Sequence, residues 1–180
     1  LMMLKLHWPR SLPDYRWPEV DKSRPARLAS AARAAAFHLS CAAGRAISYL
    51  FRNSTPVLVI RTDGLGDAVL FEPVLENLAR THSPRQIHLW APKLTCDYFA
   101  HNPAIQRMVR VPRGFKQGNL TYARSLLWHI RLGFALGRWR FDKVIYPVES
   151  PEPLGNWLFV SARAKERWLN HGDTINQFEQ

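Results

Sequence analysis

The spacing of hydrophobic residues changes along this chain, and each change predicts a different element. Val57 to Ile60 is an aliphatic run without polar alternation, which is typical of a strand buried on both faces, as in a parallel sheet. From Asp67 to about Thr81 the apolar residues recur at helical steps, so a helix follows the strand. We therefore predict a strand, a short loop and a helix over residues 57–81.

The same alternation continues towards the end of the chain. Further strands are predicted near residues 86–91, 105–111, 141–148 and 165–169, and further helices near 92–101, 119–138 and 154–162. Strands that alternate with helices favour a parallel sheet with right-handed crossovers. The predicted fold class is α/β, with a Rossmann-like parallel sheet over residues 54–180.

The segment 1–53 follows a different pattern. Residues 1–23 contain three prolines and no regular period, which predicts an irregular arm. Residues 25–52 are rich in alanine, and their three- and four-residue steps predict an amphipathic helix. Its apolar stripe is Leu28, Ala32, Ala35, Leu39, Ala42, Ala46 and Leu50. Either this helix packs on its own protein, or it rests on an anionic membrane through Arg27, Arg45 and Arg52.

The composition limits the possible partners and compartments. The formal net charge is +11, which suits nucleic acid, an anionic membrane or an acidic substrate. The interleaved aromatic and basic residues of a nucleic-acid surface are not evident, so no nucleic-acid partner is expected. The two cysteines form no disulfide framework, and neither a signal peptide nor a membrane-spanning stretch is visible. These features predict a cytoplasmic protein.

The loop after the first strand carries the candidate chemistry. It contains two glycines, Gly64 and Gly66, which we expect to permit backbone angles and close approaches that a side chain would forbid. Asp67 falls where a helix N-cap or first-turn residue belongs. The loop is predicted at the carboxyl edge of the sheet, where open α/β folds bind ligands. Its spacing matches neither the dinucleotide fingerprint nor the phosphate-binding loop.

Residues 59–75 resemble the opening strand, loop and helix of glycosyltransferase family nine, the ADP-heptose:lipopolysaccharide heptosyltransferases and their relatives. The matching positions are Arg61, Gly66, Asp67 and Pro73. Weaker similarity in residues 102–112, 140–146 and 172–176 extends the resemblance over roughly residues 56–180. It therefore covers the predicted sheet and leaves out the basic segment 1–53.

The resemblance implies the N-terminal, acceptor-side half of a two-domain glycosyltransferase of the B architecture. Asp67 would be the catalytic base for inverting transfer of heptose or a related sugar to a lipopolysaccharide-type or other acidic glycan or glycolipid. The nucleotide-sugar donor, ADP-linked in the family, would be bound mainly by a second domain, with no metal or other cofactor. The predicted location is the cytoplasm, at the inner face of the membrane if residues 24–52 contact it, and residues 1–180 alone are expected to be inactive.

The residues predicted to bind the acceptor are Arg61, Asp63, Gly64, Gly66, Arg113 and Lys116. The guanidinium of Arg61 suits a carboxylate or phosphate, but it could equally pair with Asp63 or Asp67. Arg113 and Lys116 lie in a basic loop and could equally be solvated surface charges. Asp63 departs from the small polar residue that is usual in the family. It either pairs with Arg61 or raises the proton affinity of Asp67.

Two alternatives to this interpretation stay open. An aspartate at position 67 would also be explained if it only stabilised the start of the helix and had no catalytic role. The whole chain would also be explained as a non-catalytic α/β binding module for an acidic ligand or an anionic membrane surface.

Overall fold

The structure is a computed structural model that describes residues 24–51, 54–81, 86–112, 122–148 and 153–169. Its helices are α1 (Arg24–Phe51), α2 (Leu65–Leu70), α3 (Glu72–Thr81), α4 (Lys93–Tyr98), α5 (Tyr122–Gly137) and α6 (Pro153–Ser161). Its strands are β1 (Ser54–Ile60), β2 (Ile87–Ala91), β3 (Ile105–Arg110), β4 (Arg140–Tyr146) and β5 (Ala164–Leu169). Within these ranges none of the helices combines the length and the apolar character needed to cross a bilayer. The predicted arm over residues 1–23 lies outside the described ranges.

The five strands form one parallel sheet in the order β3-β2-β1-β4-β5. The predicted α/β, Rossmann-like fold with an N-terminal helix is therefore confirmed. From β1 the chain proceeds outwards to β2 and β3, and it then returns to β4 on the other side of β1. The connections leaving β1 and β4 thus run in opposite directions, and an open α/β sheet forms its ligand-binding crevice at such a switch point.

Both faces of the sheet are covered, and β1 shows why. Val57 and Val59 belong to a core formed with α2, α3 and α4, whereas Leu58 and Ile60 belong to a core formed with α1, α5 and α6. All four side chains are fully buried. An aliphatic run without polar alternation is what a strand between two apolar layers requires.

The helix predicted over residues 67–81 is divided in two, so that part of the prediction is wrong. The helix α2 begins at Leu65, and Phe71 separates it from α3. The cause is Pro73, which has no backbone N–H and therefore cannot continue the hydrogen-bond ladder of α2. Proline is tolerated in the first turn of a new helix, which is its position in α3.

The helix α1 packs on its own protein, but through the face opposite to the predicted one. Leu28 and Leu39 of the predicted stripe are 71% and 72% exposed, whereas Phe37 and Cys41 are buried. The contact is made with α5, where a Cβ atom on Gly137 would overlap the carbonyl oxygen of Cys41. Small residues allow two helix backbones to approach this closely. Glycines on the partner helix therefore select the packed face, and an alanine stripe carries no comparable signal.

Candidate functional site

The loop after β1 lies at the carboxyl edge of the sheet, as predicted, and it is fixed to both neighbouring strands. The amide of Arg61 donates to the carbonyl oxygen of Trp90, with a distance of 2.9 Å. On the other side, the hydroxyls of Thr62 and Tyr146 lie 3.2 Å apart and share a hydrogen bond. These contacts hold the loop at the switch point between β1 and β4.

Arg61 and Asp63 form a buried ion pair in this loop. Nε of Arg61 donates to Oδ1 of Asp63 at 2.9 Å, and Nη2 donates to Oδ2. A third hydrogen bond runs from Nη1 to the carbonyl oxygen of Pro147 at 3.2 Å. The guanidinium also lies 4.8 Å from the ring centroid of Phe71, within cation–π range. Of the alternatives for Arg61, pairing with Asp63 is the arrangement found.

Burial and charge act in opposite directions on this pair. Burial lowers the pKa of Arg61, and the neighbouring charge and hydrogen bond of Asp63 raise it. Burial also raises the pKa of Asp63, while the charge of Arg61 lowers it. The charge of Asp67 raises the pKa of both groups. Asp67 therefore lies close enough to interact electrostatically with the pair, although it is not a member of it.

Asp67 presents an exposed carboxylate beside this pair. It lies in the first turn of α2, and the N-cap position belongs to Gly64, which makes no side-chain capping bond. Among the described residues, the carboxylate of Asp67 forms no hydrogen bond or ion pair. The N-cap position predicted for Asp67 is therefore wrong and the first-turn position is confirmed, so Asp67 contributes to the start of α2 as a negative charge near the positive end of a helix. The carboxylate remains accessible to a ligand.

The two glycines of the loop differ from their predicted roles. Gly64 has φ −72° and ψ 163°, an extended conformation that any residue adopts, so the expectation of an unusual backbone angle is wrong there. A Cβ atom on Gly66 would meet no atom within 4 Å. The chain itself therefore leaves open space at Gly66, next to Asp67.

The remaining predicted residues cannot be added to this geometry, because Arg113 and Lys116 lie outside the described residues. Conversely, sequence reasoning did not single out Thr62 and Tyr146, both of which are buried. A polar residue two positions after the end of a buried strand was the available signal for Thr62. The hydroxyl of Tyr146 gave no such signal, because its partner is distant in sequence.

A second concave surface contains none of the predicted residues. It is an open depression of ≈ 610 Å³ between α3 and the turn that precedes β3. Its lining residues are Glu72, Glu76, Ala79, Arg80, Tyr98, Phe99, His101, Asn102, Pro103 and Ala104. The hydroxyl of Tyr98 donates to Glu72 at 2.8 Å across this surface, so the two polar groups already satisfy each other.

Comparison of the chain with protein-family models, with curated proteins and with solved structures finds no match. The class of protein defined here is therefore the one given by the fold: a parallel, Rossmann-like α/β domain with a polar loop at its switch point. Any functional assignment depends on the chemistry of that loop.

Proposed function

We propose that this chain is the acceptor-side domain of an inverting glycosyltransferase of the B architecture, with Asp67 as the general base. The observation that carries the proposal is the exposed carboxylate of Asp67 at the switch point of the sheet, which forms no ion pair within the described ranges. General-base catalysis needs a carboxylate within hydrogen-bond reach of the group that loses its proton. The open space at Gly66 leaves room for an acceptor to approach.

The reaction transfers one sugar and one proton. Asp67 accepts the proton of an acceptor hydroxyl as its oxygen attacks the anomeric carbon of the nucleotide-sugar. The bond from that carbon to the diphosphate breaks, and the diphosphate leaves with the electron pair. One displacement inverts the configuration at the anomeric carbon. The donor, ADP-linked in the resembled family, is assigned mainly to a second domain.

Arg61 and Asp63 were predicted to bind the acceptor, and the role that their ion pair supports is to hold the loop in place. One hydrogen bond of Arg61 joins the loop to Pro147, the residue after β4, so Arg61 acts as a positioning residue for Asp67. Binding of the acceptor by Arg61 stays a prediction, because an anionic acceptor would share or replace Asp63. A heptose donor and an acidic lipopolysaccharide-type acceptor likewise rest on the resemblance of residues 59–75.

A transfer assay tests this proposal. The complete protein, which carries this domain and a donor-binding domain, is incubated with a panel of ADP-sugars and acidic glycan acceptors, and release of ADP is measured. We expect transfer with inversion by the complete protein, and none by residues 1–180 alone although they fold. Robust transfer by residues 1–180 would contradict the two-domain assignment, and no transfer by the complete protein would contradict the class.

A second candidate function, binding to an anionic membrane surface, is favoured by the layer formed by α1, α5 and α6. These three helices contain six arginines and no acidic residue, whereas α2, α3 and α4 contain four acidic residues and two basic ones. The outward face of α1 is apolar, with Leu28, Leu39 and Tyr49 each more than 70% exposed. Exposed apolar side chains in a layer whose helices carry arginine and no acidic residue suit an anionic lipid surface.

One part of the original membrane hypothesis needs correction. Arg45 does not lie on an exposed flank, because its Nη2 donates to the carbonyl oxygen of Ser161 at 2.8 Å. The side chains of Arg27 and Arg52 lie outside the described ones. The exposed arginines that the structure describes in α5 and directly after it are instead Arg124, Arg131 and Arg138.

Co-sedimentation with vesicles that contain phosphatidylserine tests the membrane candidate. We expect binding at low salt that weakens as salt is added. Leu39→Glu should weaken binding about tenfold, since it puts a charge in the apolar stripe. Leu94→Glu is the matched control, because Leu94 is a 62% exposed leucine of α4 in the acidic layer. Binding that does not change with salt concentration, or equal effects of the two variants, would exclude the exposed face of α1 as a membrane-binding surface.

A further inference from the structure

Three arginines converge at the end of the sheet opposite to Asp67, where α6 ends and β5 begins. They are Arg45 of α1, Arg163 of the α6–β5 connection and Arg167 of β5. Arg45 Nη2 donates to the carbonyl oxygen of Ser161 at 2.8 Å, and Arg167 Nη2 donates to that of Ala162 at 2.7 Å. Since these two carbonyls are consecutive in the chain, the guanidiniums that they hold are neighbours.

Arg163 joins the same cluster through α1. Its Nη1 donates to the hydroxyl of Ser48 at 3.1 Å, and that hydroxyl in turn donates to the carbonyl oxygen of Arg45 at 2.7 Å. The guanidinium carbon of Arg163 lies 5.4 Å from the ring centroid of Tyr49. All three arginines are half-buried, so their positive charges are only partly screened by water.

No carboxylate neutralises this cluster among the residues that the structure describes. None of the three arginines forms an ion pair there, and Nε of Arg45 is buried without a hydrogen-bond partner. Burial and the charge of Arg45 both lower the pKa of Arg167, which shows that the like charges repel each other. The carbonyls at the end of α6 offset part of this repulsion.

The cluster also has unused donors. A guanidinium carries five N–H groups, and each of these three uses one of them in the hydrogen bonds described above. Planar guanidinium forks match the oxygens of a phosphate group and bind them with short, charge-assisted hydrogen bonds. A dianion placed among them would relieve the repulsion.

We propose that Arg45, Arg163 and Arg167 form a binding site for a phosphoryl oxyanion. This site lies at the amino edge of the sheet and is separate from the acceptor site at Asp67. The shared chemistry fits both a free phosphate and the headgroup of a phosphomonoester lipid. The simpler explanation, that the arginines only cap the carboxyl end of α6, involves Arg45 and Arg167 but not Arg163, which contacts Ser48 and Tyr49 of α1 instead.

A substitution of Arg163 therefore distinguishes the binding site from the simple cap. Arg163→Gln removes one positive charge and leaves both hydrogen bonds to the end of α6 in place. Arg80→Gln of α3 is the matched control, because it makes the same change of charge at a 79% exposed position in the opposite layer. Inorganic phosphate is titrated into the purified chain and both variants, and binding is followed by ³¹P line broadening and by the shift of the melting temperature.

We expect saturable phosphate binding that weakens about tenfold in Arg163→Gln and stays within about twofold in Arg80→Gln. Circular dichroism checks that both variants are folded, and line broadening on the folded variant does not depend on its melting temperature. Absence of saturation, or equal weakening in the two variants, would overturn the proposal. Vesicles with and without phosphatidate form a second arm. Preference for phosphatidate that is lost in Arg163→Gln assigns a lipid headgroup, and no preference assigns a soluble phosphate.

Discussion

The ion pair of Arg61 and Asp63 gives the sharpest prediction about stability. Its side chains are only 4% and 14% exposed, so Asp63→Asn would leave a charged guanidinium buried without its counter-ion. Removing one partner of a buried pair typically costs about 3–5 kcal/mol. The asparagine still accepts one hydrogen bond, and Arg61 keeps Pro147 and Phe71. We therefore expect a loss near the lower end, about 3 kcal/mol, which corresponds to a fall of about 6–12 °C in Tm.

Urea denaturation of the chain and its variants measures this loss. Arg61→Met should lower the free energy of unfolding by less than Asp63→Asn does, because Asp63 is the more exposed partner and can bind a proton or a water molecule. The double variant should therefore lose about 2 kcal/mol less than the sum of the two single variants, since neither charge is left behind. Asp142→Asn is the matched control, because Asp142 pairs with Lys165 at 2.7 Å on an exposed surface.

Two outcomes would refute this reasoning. One is a loss for Asp63→Asn no larger than that for Asp142→Asn, which would mean that the pair behaves as a surface salt bridge. The other is strict additivity of the two single substitutions, which would mean that Arg61 and Asp63 do not interact.

Two further predictions concern other parts of the fold. Burial lowers the pKa of His88 to about 4, below its value in the unfolded chain, so the unfolded state gains the proton first. The contribution of His88 to the free energy of unfolding is present above pH 6.5 and falls by about 2–3 kcal/mol by pH 4.5. Urea denaturation at pH 6.5 and pH 4.5 should therefore show a smaller loss of stability in His88→Gln than in the unsubstituted chain. An equal loss in both would contradict the lowered pKa of His88. Gly137→Ala puts a methyl group against the backbone of Cys41 and should lower the free energy of unfolding by about 1–3 kcal/mol. Gly66→Ala is the control, because its methyl group enters open space and should cause no loss. Equal denaturation midpoints of the two variants would disprove the close contact of α1 and α5.

Much of the sheet could be predicted because each strand has a strong local signal. The aliphatic run at Val57 corresponds to the central strand β1, and the largely apolar run at residues 86–91 corresponds to its neighbour β2. Glycine and acidic residues after β1 located the loop at the carboxyl edge. These features are determined by residues that are close in the sequence, so local sequence patterns can predict them.

The rest depends on residues that meet only in the folded chain. The helix α1 is apolar on two faces, and the packed face is chosen by Gly133 and Gly137, almost a hundred positions later. The break at Phe71 is an exception, because Pro73 is a local signal that ends one helix and permits the start of another. The arginine cluster joins Arg45 to positions more than a hundred residues away, so no spacing rule could reveal it.

The central claim, that Asp67 is a general base, is tested most directly by the turnover and Tm of Asp67→Asn and Asp67→Ala in the complete protein. Asp67 is exposed and forms no hydrogen bond or ion pair within the described part of the chain, so both substitutions should leave Tm nearly unchanged. Neither side chain can accept the proton of the acceptor, so turnover should fall by roughly 10²–10⁴-fold. Acceptor binding should persist within a few-fold. A fully active Asp67→Asn protein would contradict the catalytic assignment.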